Sequence, residues 1–147
     1  MIRHLPPVLL ALALTASAAE AWQAGVDGTR CTLSHTEAAV SVHLTYDPAV
    51  PLYTITMTLP EPWPPSAEFG MRFDGPRPNT IRTTRHVVSP DRRSLSVSDR
   101  GFGNVLDGLQ FNATATGFSG AAIVTLSLEG AAEPVARFRS CTETPSV

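Results

Sequence analysis

Apolar and polar residues alternate with a period of two through much of the chain, the signature of half-buried strands. Val40, Val42, Leu44 and Tyr46 fall on one side of such a run, with Ser41, His43 and Thr45 on the other. Turn residues at Asp47-Pro48-Ala49-Val50-Pro51 interrupt it. The alternation then resumes with Tyr53, Ile55, Met57 and Leu59 against Thr54, Thr56 and Thr58, so the two runs predict an antiparallel hairpin. Phe69, Met71 and Phe73 continue the apolar face up to a turn at Asp74-Gly75-Pro76, and a shorter run covers residues 80–84. Val87-Val88 and residues 95–97 flank Ser89-Pro90-Asp91-Arg92-Arg93. Proline in second place and aspartate in third suit a type I turn there, which predicts a second hairpin.

Other stretches punctuate this pattern. Pro60, Pro62, Pro64 and Pro65 surround Glu61 and Trp63 in a segment that can neither pair inside a sheet nor continue a helix. It reads as a stiff connection, with Trp63 folded down to plug one end of the domain. Gly101, Phe102, Gly103 and Asn104 read as a flexible corner with a demanding backbone path, followed by a single helical turn over residues 105–108 that Gly108 ends. Leu109, Phe111, Ala113 and Ala115 alternate with Gln110, Asn112, Thr114 and Thr116 as a strand, and another covers residues 121–128. Pro134 stands where a helix can begin, and Val135, Phe138 and Cys141 share one helical face. The sum is an all-β fold of about eight strands, an antiparallel sandwich or small barrel, with a short C-terminal helix.

The start of the chain differs in kind. A basic opening at Arg3 and His4, an apolar run over residues 8–14 and small residues at Ala16-Ser17-Ala18 and Ala19-Glu20-Ala21 read as a secretory signal peptide. The run is well short of the roughly 20 residues that cross a bilayer, and the cleavage pattern fits after Ala18 or after Ala21. The organisation is then a leader over residues 1–21 and one β domain over residues 22–147, periplasmic or secreted, with no transmembrane segment in the mature chain. In an exported protein the two cysteines, Cys31 and Cys141, predict one disulfide; free thiols or a metal site are the competing readings, and two cysteines without a paired histidine are too few for structural zinc.

Charge narrows the function classes. The chain carries a formal net charge of −2 and no lysine, so Walker A phosphate loops, Schiff-base enzymes and Ser-Lys hydrolases are excluded. Arg30 alone faces Asp27, Glu37, Asp47, Glu61 and Glu68 in the first half, whereas residues 71–102 hold seven arginines against three aspartates. If Arg72, Arg77, Arg82, Arg85, Arg92 and Arg93 converge on one sheet face, they form a binding surface for an anionic envelope lipid or glycan, or for an acidic partner protein. The bland reading is a solvated face paired to acids such as Asp91 and Asp99. No aromatic residues interleave with the arginines, and nucleic acid is not the expected partner.

Two further classes stay open. A small periplasmic hydrolase would need His35, His43 or His86 joined to a hydroxyl and a carboxylate, yet Gly117-Phe118-Ser119-Gly120 only approximates a nucleophile elbow. A barrel with an internal cavity would hold an apolar small ligand against its alternating inward face. No catalytic residue, metal set or cofactor is assigned by the sequence, and the expected function is that of a non-enzymatic exported binding domain.

The runs RFDGPRPNTI, RHVVS and SLSVSDRGFGNVLDGLQFNATA and the closing RFRSC resemble a group of small exported alphaproteobacterial proteins of uncharacterised function. The resemblance covers most of the mature chain, and DRGFGNVLDGL is its most specific part. Such proteins often carry the label of an excinuclease ABC component, which a chain without a Walker A lysine and far too short for a helicase contradicts. A fainter likeness, in size, export and a cysteine near the C-terminus, is to the invasion-associated locus B proteins. What the resemblance implies is export, without a function to carry over.

Overall fold

Ten strands and two helices follow one another along the described residues of the computed structural model, which are 2–3, 11–12 and 20–143. Strands β1 (Glu20–Asp27), β2 (Arg30–Glu37), β3 (Val40–Asp47) and β4 (Leu52–Thr58) make an antiparallel meander. β5 (Phe69–Asp74) and β6 (Asn79–Thr83) pair as a hairpin of a second sheet, and β7 (Val87–Val88) and β8 (Ser94–Asp99) return to the first. Helix α1 (Gly103–Phe111) leads into the hairpin of β9 (Thr114–Ser119) and β10 (Ala122–Ser127), and α2 (Ala132–Glu143) follows. The sheets run β1-β2-β3-β4-β8-β7 and β10-β9-β5-β6, with every pairing antiparallel. Two separate sheets make this a sandwich and not a barrel.

The alternation places the core. Leu33, Val42, Leu44, Ile55, Met57 and Leu95 point in from the larger sheet to meet Met71, Phe73, Ala115 and Leu126 of the smaller one, all buried. The opposite face of β4 and β8 carries hydroxyls that bond directly across the seam: Thr54 to Ser98 at 2.9 Å, Thr56 to Ser96 at 2.8 Å and Thr58 to Ser94 at 2.8 Å. Trp63 does plug the sandwich, with its ring edge-on to Phe69 and its Nε1–H donating to the Met57 carbonyl at 3.3 Å. The disulfide joins Cys31 on β2 to Cys141 on α2 across 110 residues of sequence, and Val135 and Phe138 of that helix are buried.

Several sequence expectations need correction. The chain has ten strands among its described residues, because β1 and β2 were not anticipated. β1 begins at Glu20, inside the span assigned to the leader, while most of residues 1–21, including the cleavage position at Ala18, lies outside the described residues. The helical turn expected to stop at Gly108 is a nine-residue helix running to Phe111, so Leu109 and Phe111 are helical and the next strand starts at Thr114. Gly108 sits inside α1 because the Phe73 ring packs against it; a Cβ there would lie 2.3 Å from a ring carbon. Asn112 ends the helix instead, in an extended conformation, its Nδ2–H donating to the Gly108 carbonyl at 3.1 Å and to the Arg77 carbonyl at 2.8 Å.

Candidate functional site

The six arginines separate into four settings. Arg72 lies on the outer face of β5, its Nε–H donating to Asp74 at 3.0 Å. Arg77, in the β5–β6 turn, lies 4.2 Å over the Phe111 ring while its backbone N–H donates to Asn112 at 2.9 Å. Arg92 and Arg93 clamp the proline segment from the β7–β8 turn: Arg92 reaches the Trp63 carbonyl at 3.2 Å and Arg93 the Pro60 carbonyl at 3.0 Å. Arg92 takes a left-handed φ of 62° after the turn that Ser89-Pro90-Asp91 predicted, closed by Arg92 N–H donating to the Ser89 carbonyl at 2.8 Å. In that turn the Ser89 hydroxyl, 2.6 Å from Asp91 Oδ1, and then the Arg93 backbone N–H, at 3.1 Å, hold the Asp91 carboxyl below its ordinary pKa.

Arg82 and Arg85 alone of the six border one cavity, a cleft of 410 Å³ that opens between the sheets along β6 and β8. Topology explains the opening. β7 covers only Leu95 and Ser96 of β8, which leaves the strand's remaining residues at an uncovered edge, and β6 is the edge of the opposite sheet. Ile55, Phe69, Met71, Ile81, Val97 and Phe102 line the depth of the cleft, and the polar groups stand with Arg82, Arg85, Asp99 and Asn104.

Two ion pairs decorate the mouth. Arg82 Nη1 meets Glu68 at 2.8 Å, with the guanidinium 5.1 Å over the Phe118 ring, and Arg85 Nη2 stands 3.6 Å from Asp99. Arg85 is 78% exposed and Asp99 50%. Exposed pairs of this kind contribute roughly 0–1 kcal/mol, so neither guanidinium is committed to its acid.

The glycine corner forms the rest of the mouth. Gly101 and Gly103 line the cleft, a Cβ at either would touch nothing within 4 Å, and neither has a left-handed φ. The path through them is therefore not a demanding one, contrary to the expectation; the lack of side chains leaves the cleft uncovered. Phe102, the N-cap of α1, makes no side-chain capping bond, and the first turn holds no acid. The unbonded N–H groups of that turn leave partial positive charge at Gly103 and Asn104.

The histidines lie elsewhere. His35 stacks on Trp22 with ring centroids 4.5 Å apart, and its Nε2 is 4.0 Å from Glu37. His86 Nε2 meets the Ser66 carbonyl at 3.1 Å, and His43 is exposed on β3; neither touches a serine hydroxyl or a carboxylate among the described residues. Among those residues no three His, Cys, Asp or Glu side chains gather as a metal set, and no helix is long and apolar enough to cross a membrane.

Sequence reasoning named Arg82, Arg85 and the corner with Asn104 but missed two of the walls, Ile81 and Val97. Alternation turns Ile81 and Val97 inward without showing that the sheets part beside them. No family model matches the chain, and no curated protein or solved structure matches it at a significant level.

Proposed function

We propose that the chain is a non-enzymatic binding domain that holds an anionic amphiphile of the cell envelope, with its apolar part between the sheets and its head group at Arg82 and Arg85. The observation that carries this reading is the cleft itself: 410 Å³ with apolar depth, two weakly engaged guanidinium groups and an uncapped helix start at one mouth. Burial is worth about 0.8 kcal/mol per methylene, so an eight-carbon tail contributes about 6 kcal/mol before the costs of association. The guanidinium groups add selectivity for a negative head and a dependence on salt. Export to the periplasm or beyond belongs to the proposal, supported by the leader-type sequence, by a disulfide that suits an oxidising compartment and by the resemblance to small exported proteins.

Calorimetric titration with decanoate, decanol and decylamine at low and high salt tests it. Decanoate should bind tightest at low salt and lose its advantage over decanol both in high salt and in the Arg82→Ala, Arg85→Ala double variant. Decylamine binding as tightly as decanoate, or no binding by any of the three, would overturn the assignment.

A further inference from the structure

β10 is the outer strand of the four-stranded sheet, and its free edge is unusually bare. Leu128 N–H donates to the Ala113 carbonyl at 2.9 Å, which sets the phase of the β9–β10 ladder. Ser127 accordingly turns both backbone groups away from β9: its N–H donates to Glu37 Oε2 at 3.1 Å, and its carbonyl accepts from Trp22 Nε1 at 3.1 Å. Antiparallel pairing alternates residue by residue, so Ile123 and Thr125 face the same way. Among the described residues their outward N–H and C=O groups have no partner.

Native edges are commonly blunted by charge, proline, bulges or brevity. β1 carries a register shift between Glu20 and Gln23 and ends at Asp27, β7 has two residues, and β6 follows Pro78 and carries Arg82. β10 reads AIVTLS, with no charge, proline or glycine, and holds an unbroken register of six pairs with β9. Ile123 is 71% exposed on it. Beside the edge runs a groove of 540 Å³ floored by Val40, Leu59 and Val124, and the charged residues that line it are Glu37 and Glu61; Arg93, which bonds the carbonyl of Pro60 at its border, is not among the lining residues.

We propose that this edge docks an extended segment of a partner protein as a fifth strand of the smaller sheet. An extended backbone is the ligand that answers alternating free N–H and C=O groups, as in recognition by strand addition. The apolar floor selects aliphatic side chains at alternate positions, and the acidic border selects Arg or Lys between them. The site is separate from the β6–β8 cleft and independent of what that cleft holds.

The test uses the labelled full chain and amide hydrogen exchange, with an eight-residue peptide alternating valine and arginine as probe. The peptide should slow exchange at Ile123 and Thr125 at least five-fold, with a smaller change at Val124, whose amide already serves β9. Replacing arginine by glutamate in the peptide, or methylating its alternate backbone nitrogens, should abolish the effect. Thr125→Pro removes an outward donor without touching the ladder to β9 and should weaken binding about ten-fold while unfolding stays cooperative. Glu61→Lys should weaken the arginine peptide and favour the glutamate peptide, which a merely destabilised edge would not do. Three results overturn the proposal: no protection at millimolar peptide, equal protection by the methylated peptide, or protection that rises with protein concentration alone, which would assign the edge to a second copy of the chain.

Discussion

Replacing Gly108 by alanine should destabilise the domain, although in an ordinary helix interior the same change stabilises by about 1 kcal/mol. The added Cβ would lie 2.3 Å, 2.5 Å and 2.5 Å from three carbons of the Phe73 ring. Relaxed carbon contacts are about 3.5–4.0 Å, so helix and ring must separate by roughly an ångström. Phe73 is fully buried, and overpacking of a filled core costs about 1–3 kcal/mol. Set against the propensity gain, the net loss is up to about 2 kcal/mol, or up to about 8 °C in Tm for a domain of this size. Urea unfolding of Gly108→Ala beside Gly103→Ala measures it. The Gly103 position meets no atom within 4 Å and should be neutral or stabilising. Phe73→Leu withdraws the ring atoms, so the double variant Phe73→Leu, Gly108→Ala should be less destabilised than the sum of the singles, by about 1 kcal/mol or more. A Gly108→Ala protein more stable than wild type would refute the close approach of α1 to β5.

Three other outcomes follow from the geometry. Ala38 and Ala39 form the two-residue β2–β3 turn with φ of 47° and 64°, a region that costs residues with a Cβ about 1–2 kcal/mol each. Ala39→Gly should therefore raise stability by about 0.5–1 kcal/mol after the entropy of the unfolded glycine is counted, as read in a urea midpoint. The Cys31→Ala, Cys141→Ala variant should lose about 2–5 kcal/mol, because the bond closes a loop spanning 110 residues, and an unchanged midpoint would mean that the bond does not restrain the unfolded chain. Asp91 should titrate below the ordinary aspartate range by NMR. A carboxyl depressed in the folded state adds stability above its unfolded pKa and loses it as pH falls through the folded one, so the margin of wild type over Asp91→Asn should be level above about pH 5 and shrink toward acid.

How much the sequence disclosed depended on whether a local signal had one meaning. The β3–β4 hairpin was legible because strict alternation and a proline-rich turn agreed, and the β7–β8 turn because proline and aspartate stood in their favoured places. β2 was not, since its turn to β3 is Ala38-Ala39, which lacks the glycine or asparagine that left-handed turns advertise, and His35 occupies an inward position. Asp27-Gly28 was the available cue for the β1–β2 hairpin, with Gly28 at a φ of 60°, but it lay close to the leader-like segment. α1 was cut short because Gly108 reads equally as a helix stop or as a contact point, and only Phe73, 35 positions away, separates the two. The cleft depends on how far β7 extends along β8, a matter of sheet geometry that no local pattern encodes.

The hydroxyl pairs between β4 and β8 bear on how the chain reaches its fold. β4 and β8 are neighbours in the sheet, yet Thr58 and Ser94 stand 36 residues apart and Thr54 and Ser98 44 apart, with β5 and β6 committed to the opposite layer in between. The meander β1–β4 closes by local hairpins, whereas the larger sheet is complete only after a long loop has closed and the other layer has been placed. Loop closure of that kind comes before its reward and slows folding. Being uncharged, the hydroxyl rungs fix the register of this late seam equally well in acid, base or salt, so the folding rate should respond more to Thr56→Val than to ionic strength.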